Sequence, residues 1–235
     1  MNEIAERLEK VRENIALSIQ RSGRKMNEVS LCAVTKYVET DRIALAADAG
    51  VTIIGENRAQ EFSQKLTFYK QRQLSAHFIG QLQTNKVKYI CGNADLIQSV
   101  DRDVLLSEIQ SKAQKLGIIQ PILIQVNIGN EPQKGGILLS ETERFVDEVE
   151  SLTNVKLRGF MCVPPAGDPE DTRLYFRKMH DLFEKFKQID PAMDVLSMGM
   201  SHDYTVAIEE GATLIRVGTA IFGPRQIVGG ISING

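Results

Sequence analysis

The sequence predicts an α/β fold, a single (β/α)8 TIM barrel preceded by one extra N-terminal helix. Three observations predict it. Eight short apolar runs are spaced along the chain, amphipathic helical patterns lie between them, and 235 residues leave room for eight such units and little else, since barrels of this kind commonly run to about 250 residues. Strands that alternate with helices imply parallel pairing through right-handed crossovers, and near-continuous apolar runs imply burial on both faces. Residues 1–235 are therefore read as one domain. An open doubly wound sheet is the alternative that counting strands leaves standing.

The elements follow in order. Ile4, Leu8, Val11, Ile15 and Ile19 recur at spacings of three and four, which predicts a helix with one buried face over residues 1–24, ended near Gly23. The strands are "LCAVT" from Leu31, "TIIG" from Thr52, "HFIG" from His77, "DLIQSV" from Asp95, "PILIQVN" from Pro121, "KLRGFM" from Lys156, "VLSMG" from Val195 and "TLIRVG" from Thr213. Between them, Val104, Leu105, Ile109, Ala113 and Leu116 mark a helix that stops at Gly117. Asp168-Pro169 reads as an N-cap followed by proline at the first helical position, opening a helix through Leu174, Met179, Leu182, Phe183 and Phe186. The tail from residue 225, "GGISING" at its end, reads as disordered.

Composition narrows the function classes. Lys and Arg number 28 against 30 Asp and Glu, with no like-charge cluster, so there is no electrostatic footprint for nucleic acid or anionic lipid. Cys32, Cys91 and Cys162 are odd in number, widely separated and without CxxC spacing, which argues against disulfides and zinc and for reduced thiols in the cytoplasm. The polar, acidic start "MNEIAERLEK" does not read as a leader, and no apolar run approaches a membrane span. A small molecule is the expected partner.

In such barrels the active site lies at the C-terminal ends of the strands, and the loops after strands seven and eight often hold phosphate. Lys36, read as the last residue of strand one, falls on that face. An ammonium at the rim of an apolar core can lose its proton and attack a carbonyl, although lysines also simply mark a strand's exit into water. Strand seven ends in "SMGMSHD" and strand eight in "RVGTAIFG", each setting glycine near a hydroxyl: Gly199 near Ser201, Gly218 beside Thr219. Glycines let backbone N–H groups approach a phosphate, but the same residues also turn a strand into a helix. Arg216 shares a strand face with Gly218, where a guanidinium would be nearly buried and would need a carboxylate or a ligand as partner. Lysine, arginine and phosphate cup together suggest an aldehyde-bearing phosphorylated ligand: pyridoxal 5′-phosphate, or a phosphorylated sugar.

Other residues have ordinary readings. His77 suits a satisfied core position as well as a ligand contact, and His180 suits a helix surface. His202-Asp203 cannot form a triad alone, and GxSxG, Walker A and GxGxxG patterns are absent from the sequence. Glu56 reads as a helix start, and "GNEPQKGG" around Lys134 as a mobile surface loop able to act as a lid.

Seven stretches, in order, carry a resemblance: "AVTK" (33–36), "GENRAQE" (55–61), "HFIGQLQTNK" (77–86), "VNIGNEPQKGG" (126–136), "RGFMC" (158–162), "LSMGMSHD" (196–203) and "GATLIRVGTAIFG" (211–223). Over nearly its whole length the chain resembles the pyridoxal phosphate homeostasis proteins, whose fold is similar to the barrel domain of alanine racemase. The resemblance implies that Lys36 forms a Schiff base with pyridoxal 5′-phosphate. It also implies that Arg216 faces the pyridine nitrogen, that Ser201, Gly218 and Thr219 hold the phosphate, that Asn57 and His77 line the mouth, and that Met161 lies beneath the ring. No metal is implied. Two positions depart from the family pattern: Tyr37, where a small polar residue is usual, and Gly129, where serine is frequent.

The function implied is intracellular homeostasis of the cofactor without catalytic turnover, with cofactor-dependent apoenzymes as recipients and a monomer as the expected state. The alternative is an amino-acid racemase of the alanine racemase type. That chemistry needs two bases on opposite faces of the substrate, one of them from a second domain of a partner subunit, and a chain ending soon after strand eight is expected to lack that domain. An aldolase-type barrel with Lys36 attacking a sugar phosphate ranks below both, for want of a dedicated acid/base beside the lysine.

Overall fold

The computed structural model describes residues 2–224. The segment expected to be a flexible tail lies outside the described residues. In chain order the elements are α1 (Glu3–Arg21), β1 (Ser30–Val34), α2 (Thr40–Asp48), β2 (Ile53–Glu56), α3 (Ala59–Gln71), β3 (Ser75–Phe78), α4 (Val87–Ile90), β4 (Leu96–Val100) and α5 (Asp103–Leu116). They continue with β5 (Gln120–Val126), α6 (Thr142–Glu150), β6 (Val155–Cys162), α7 (Pro169–Ile189), β7 (Val195–Ser197), α8 (Tyr204–Glu209), β8 (Leu214–Val217) and α9 (Thr219–Phe222).

The eight strands pair in sequence order, all parallel, and β8 closes onto β1. This is the expected barrel, and closure excludes the open sheet: Cys32 stands opposite Arg216 and Ala33 opposite Val217 in the closing register. The main core lies between strands and helices, and a smaller cluster of Cys32, Leu96, Leu123, Met161 and Leu214 fills the barrel's inside. The extra helix α1 buries the expected face of Ile4, Leu8, Val11, Ile15 and Ile19, and packs against α2, α8 and α9. Asn2 starts it by accepting from the Ala5 N–H at 2.8 Å.

Local signals place the helix ends well. Gly117 ends α5 in the left-handed conformation, φ 66°, and Asp168 with Pro169 opens α7. The buried faces shift slightly from expectation. In α5, Leu106 is buried while Val104 and Leu116 are exposed; in α7, Leu174 is exposed and Phe176 buried. The buried residues keep spacings of three and four, Leu106, Ile109 and Ala113 in α5 and Thr172, Phe176, Met179, Phe183 and Phe186 in α7; Val104 and Leu174 fall off that stripe, and Leu116 is the last residue of its helix.

Several strand ends differ from the sequence reading by a residue or two, β7 for example stopping at Ser197 and not at Gly199, and three of them bear on the site. β1 stops at Val34, so Lys36 stands in the turn two residues beyond it. β3 begins at Ser75, two residues before His77, because the Ser75 N–H joins the ladder by donating to Thr52 O at 2.8 Å. Glu56 is no helix start: it ends β2 and is fully buried.

Candidate functional site

Arg216 sits inside the barrel, 3% exposed. Its Nη1 donates to Ser197 Oγ at 2.6 Å and its Nη2 to the Cys162 carbonyl at 2.8 Å. Those two acceptors end β7 and β6, so the guanidinium lies at the C-terminal end of the strands. Among the described residues Arg216 forms no ion pair, and burial pulls its pKa below the ordinary arginine value. The carboxylate partner expected for a structural arginine is replaced by a hydroxyl and a carbonyl.

The hydroxyl continues a chain. Guanidinium groups only donate, so Ser197 must accept from Arg216 and send its own proton to Gln98 Oε1, 2.6 Å away. The Gln98 amide nitrogen then donates to His77 Nδ1 at 2.9 Å, which leaves the His77 proton on Nε2. The chain thus crosses the barrel from β8 through β7 and β4 to β3. Gln98 and Ser197 were not singled out from the sequence; the signal for Gln98 was a polar residue in the middle of "LIQSV", and for Ser197 a hydroxyl closing the short run "VLS".

His77 lies below the mouth. Its ring lines a cavity of about 900 Å³ at the opposite, N-terminal end of the strands, bounded by Ser30, Ile53, Ser75, Asp95 and Thr213. Burial first of all holds its pKa down, to about 4, so the ring is neutral. Met161 also lies inside the barrel, packed with Cys32, Leu96, Leu123 and Leu214.

Lys36, Asn57, Ser201, Gly218 and Thr219 all follow strand ends at the C-terminal face. Gly218 continues β8 beside β1, where an added Cβ would come 3.2 Å from Val34 Cβ. The Gly218 and Ala220 N–H groups both donate to Ser201 Oγ, at 3.1 and 3.4 Å. The turn carrying Ser201 needs Gly199, whose φ is 88° and whose missing Cβ would lie 2.5 Å from Ala207 Cβ. Asp203 secures that turn by accepting from the Met200 N–H at 2.7 Å, the role that its place beside His202 concealed. Asn57 Oδ1 is buried with no hydrogen-bond partner among the described residues.

The loop around Lys134 is tied down. Asn127 Nδ2 donates to the Glu131 and Lys134 carbonyls at 2.9 and 3.3 Å, and Lys134 Nζ donates to Pro164 O at 2.8 Å. Gly129 is accounted for by space, since a Cβ there would meet Pro165 Cγ at 2.5 Å. Among the described residues no His, Cys, Asp and Glu side chains group as a metal site, and no helix is long and apolar enough to cross a membrane.

A pyridoxal phosphate homeostasis protein of Aquifex aeolicus (strain VF5) is 45% identical over 223 residues, covering 94% of this chain and 98% of that protein. One of Escherichia coli (strain K12) is 37% identical over 233 residues, covering 96% and 98%. The chain belongs to the pyridoxal phosphate homeostasis protein family. The family model for the alanine racemase N-terminal domain matches residues 7–226. Among solved structures, PipY of Synechococcus elongatus PCC7942 with PLP bound superposes with a TM-score of 0.80 at 32% identity, covering 94% of this chain and all of that one, 100%. A protein described as unknown from Bifidobacterium adolescentis gives 0.87 at 31%, covering 94% and 97%. The family's barrel extends to more distant chains: a diaminopimelate decarboxylase of Helicobacter pylori, 14% identical with a TM-score of 0.66, shares the fold, covering 89% of this chain and 62% of that one.

Proposed function

We propose that this protein holds pyridoxal 5′-phosphate at the C-terminal mouth of its barrel, attached through Lys36, and serves the cell's supply of that cofactor without turnover of its own. The observation that carries the reading is Arg216, a buried cation whose guanidinium, among the described residues, hydrogen-bonds to neutral groups, Ser197 Oγ and Cys162 O, and forms no ion pair. A buried charge of this kind is stabilised by an electron-rich partner. The homeostasis relatives and the PLP-bound PipY structure support the choice of ligand.

The residues present fit the group. Gly218 and Ala220 N–H fix Ser201 Oγ by donating to it, which leaves the Ser201 hydroxyl proton, with the Thr219 hydroxyl, as donors for a phosphate. The unpartnered Asn57 Oδ1 offers an acceptor toward the mouth. Bound there, the cofactor supplies an aldehyde able to condense with a primary amine, and Lys36 supplies the amine. Arg216 can only donate, so a ring nitrogen facing it stays unprotonated, and the ring is then a poor electron sink. A site of this character retains its ligand and does little to stabilise a carbanion. His77 and Met161 support it from within the barrel. Apoenzymes that use the cofactor are the recipients in this reading, the cytoplasm is the compartment, and the protein acts as a monomer. The three cysteines are free and buried, which suits a reducing compartment.

Incubating the purified protein with pyridoxal phosphate is expected to give the visible absorbance of a Schiff base, absent in Lys36→Ala. A colourless wild type sinks the reading. Amino-acid racemisation at ordinary enzyme rates by the coloured protein would overturn the absence of turnover.

A further inference from the structure

Lys36 stands between two residues that are both held by side chains of α3 and β2. On one side, Thr35 Oγ1 donates to Glu56 Oε1 at 2.8 Å, and the Thr35 carbonyl accepts from Lys65 Nζ at 2.9 Å. On the other, the Tyr37 N–H donates to Glu61 Oε2 at 2.8 Å. Lys65 joins the two sides, reaching Glu56 Oε1 at 2.9 Å and Glu61 Oε2 at 3.3 Å. The Tyr69 hydroxyl adds a third donor to Glu56 Oε1, at 2.7 Å.

The Glu56 side chain is fully buried, and a buried ion pair is a poor source of stability because desolvation offsets the attraction. One of its three bonds goes to Thr35, where the turn that carries Lys36 and Tyr37 begins, and the other two tie it to Lys65 and Tyr69 on α3. Tyr37 has φ 60°, a left-handed conformation unfavourable for an aromatic residue, so the turn keeps this shape only while its surroundings impose it. The Arg58 guanidinium, 4.7 Å from the centre of the Tyr37 ring, adds a further contact from the start of α3.

We propose that Glu56, Glu61 and Lys65 are positioning residues that fix the backbone on both sides of Lys36 and so aim its amine into the mouth. The proposal rests on Lys36 being the attachment point. Lys65 and Glu61 sit one helical turn apart on α3, so a shift of that helix moves both neighbours of the lysine together. The position of α3 therefore governs how firmly the ligand is held.

The test compares Glu61→Leu and Lys65→Met with Glu61→Gln, which keeps an oxygen for the Tyr37 N–H. In protein loaded with pyridoxal phosphate, semicarbazide, a carbonyl trap, is expected to bleach the visible absorbance roughly five- to tenfold faster in the first two variants, the fold-change of about one hydrogen bond. Glu61→Gln is expected to stay within about twofold of wild type on the same grounds. A second readout needs no cofactor: reductive methylation by formaldehyde and cyanoborohydride, with the ratio of Lys36 to exposed Lys10 labelling read by mass spectrometry. That ratio is expected to change several-fold in Glu61→Leu and Lys65→Met alone. If wild type never colours, the proposed function fails while the labelling ratio still decides the positioning role. Folded Glu61→Leu with wild-type bleaching and labelling overturns the proposal. Should Lys65→Met not fold, Glu61→Leu decides by itself, because its bond lies at the solvent-exposed edge of the network.

Discussion

His77 accepts a hydrogen bond from Gln98 in a buried setting that lowers its pKa from 6.5 to about 4. Between those values the unfolded chain binds a proton that the folded chain refuses, so stability falls as pH drops from 6.5 to 4 and is unaffected by this residue above that window. The full loss, reached below pH 4, is about 3 kcal/mol. Thermal midpoints measured from pH 7 to 4.5 are expected to fall more steeply in wild type than in His77→Asn, whose amide accepts from Gln98 but takes no proton. Equal slopes would show that His77 does not titrate as described. The buried thiols of Cys32 and Cys162 behave in the opposite sense: burial pushes both up to about 12, so they stay protonated and unreactive. At this scale the sequence was legible for position: Lys36 stands beyond the C-terminal end of β1, and Arg216 is buried inside the barrel. It hid Glu56, Gln98 and Ser197, because a polar residue inside an apolar run has no partner until the barrel closes and brings β4 across to β7.

Among the elements, the β6–β7 junction is the most demanding. Gly159 has φ 136°, and an added Cβ would collide with the Val195 carbonyl of the neighbouring strand. Gly159→Ala is therefore expected to destabilise the protein by more than about 3 kcal/mol, in the range of backbone strain plus overpacking; urea unfolding measures it, and a change under 1 kcal/mol would refute the account. The "KLRGFM" run was readable as a strand, yet nothing in one chain's sequence shows that its glycine yields space to a neighbour. Helices were read more reliably, since capping and left-handed glycine ends are local: Asp168-Pro169 and Gly117 both act within one turn. The end of β1 was misplaced by two residues because Thr35 is held by Glu56 and Lys65 from outside the ladder.

For the whole molecule, eight parallel strands close into a barrel, α1 packs over α2, α8 and α9, and one main core runs between strands and helices of the described chain. A single cooperative thermal transition is expected, the same by circular dichroism and by calorimetry. Saturating pyridoxal phosphate is expected to raise it, since a ligand at a hundred times its dissociation constant adds about 2.7 kcal/mol to the folded state; an unshifted midpoint would count against cofactor binding. The barrel was legible because eight apolar runs and their intervening helices repeat along the chain, a pattern that survives errors in any one strand.

The line of hydrogen bonds from Arg216 to His77 also has a direction. Ser197 and Gln98 each accept on the side nearer the arginine and donate on the far side, and His77 accepts at the end. Their dipoles add head to tail, with the negative ends turned toward the guanidinium. The barrel thus balances its innermost cation with a column of neutral groups spread over three strands, in place of one counter-ion. A carboxylate in that position would compete with any anionic guest for the arginine; a dipole column steadies the charge and leaves most of its attraction for the guest.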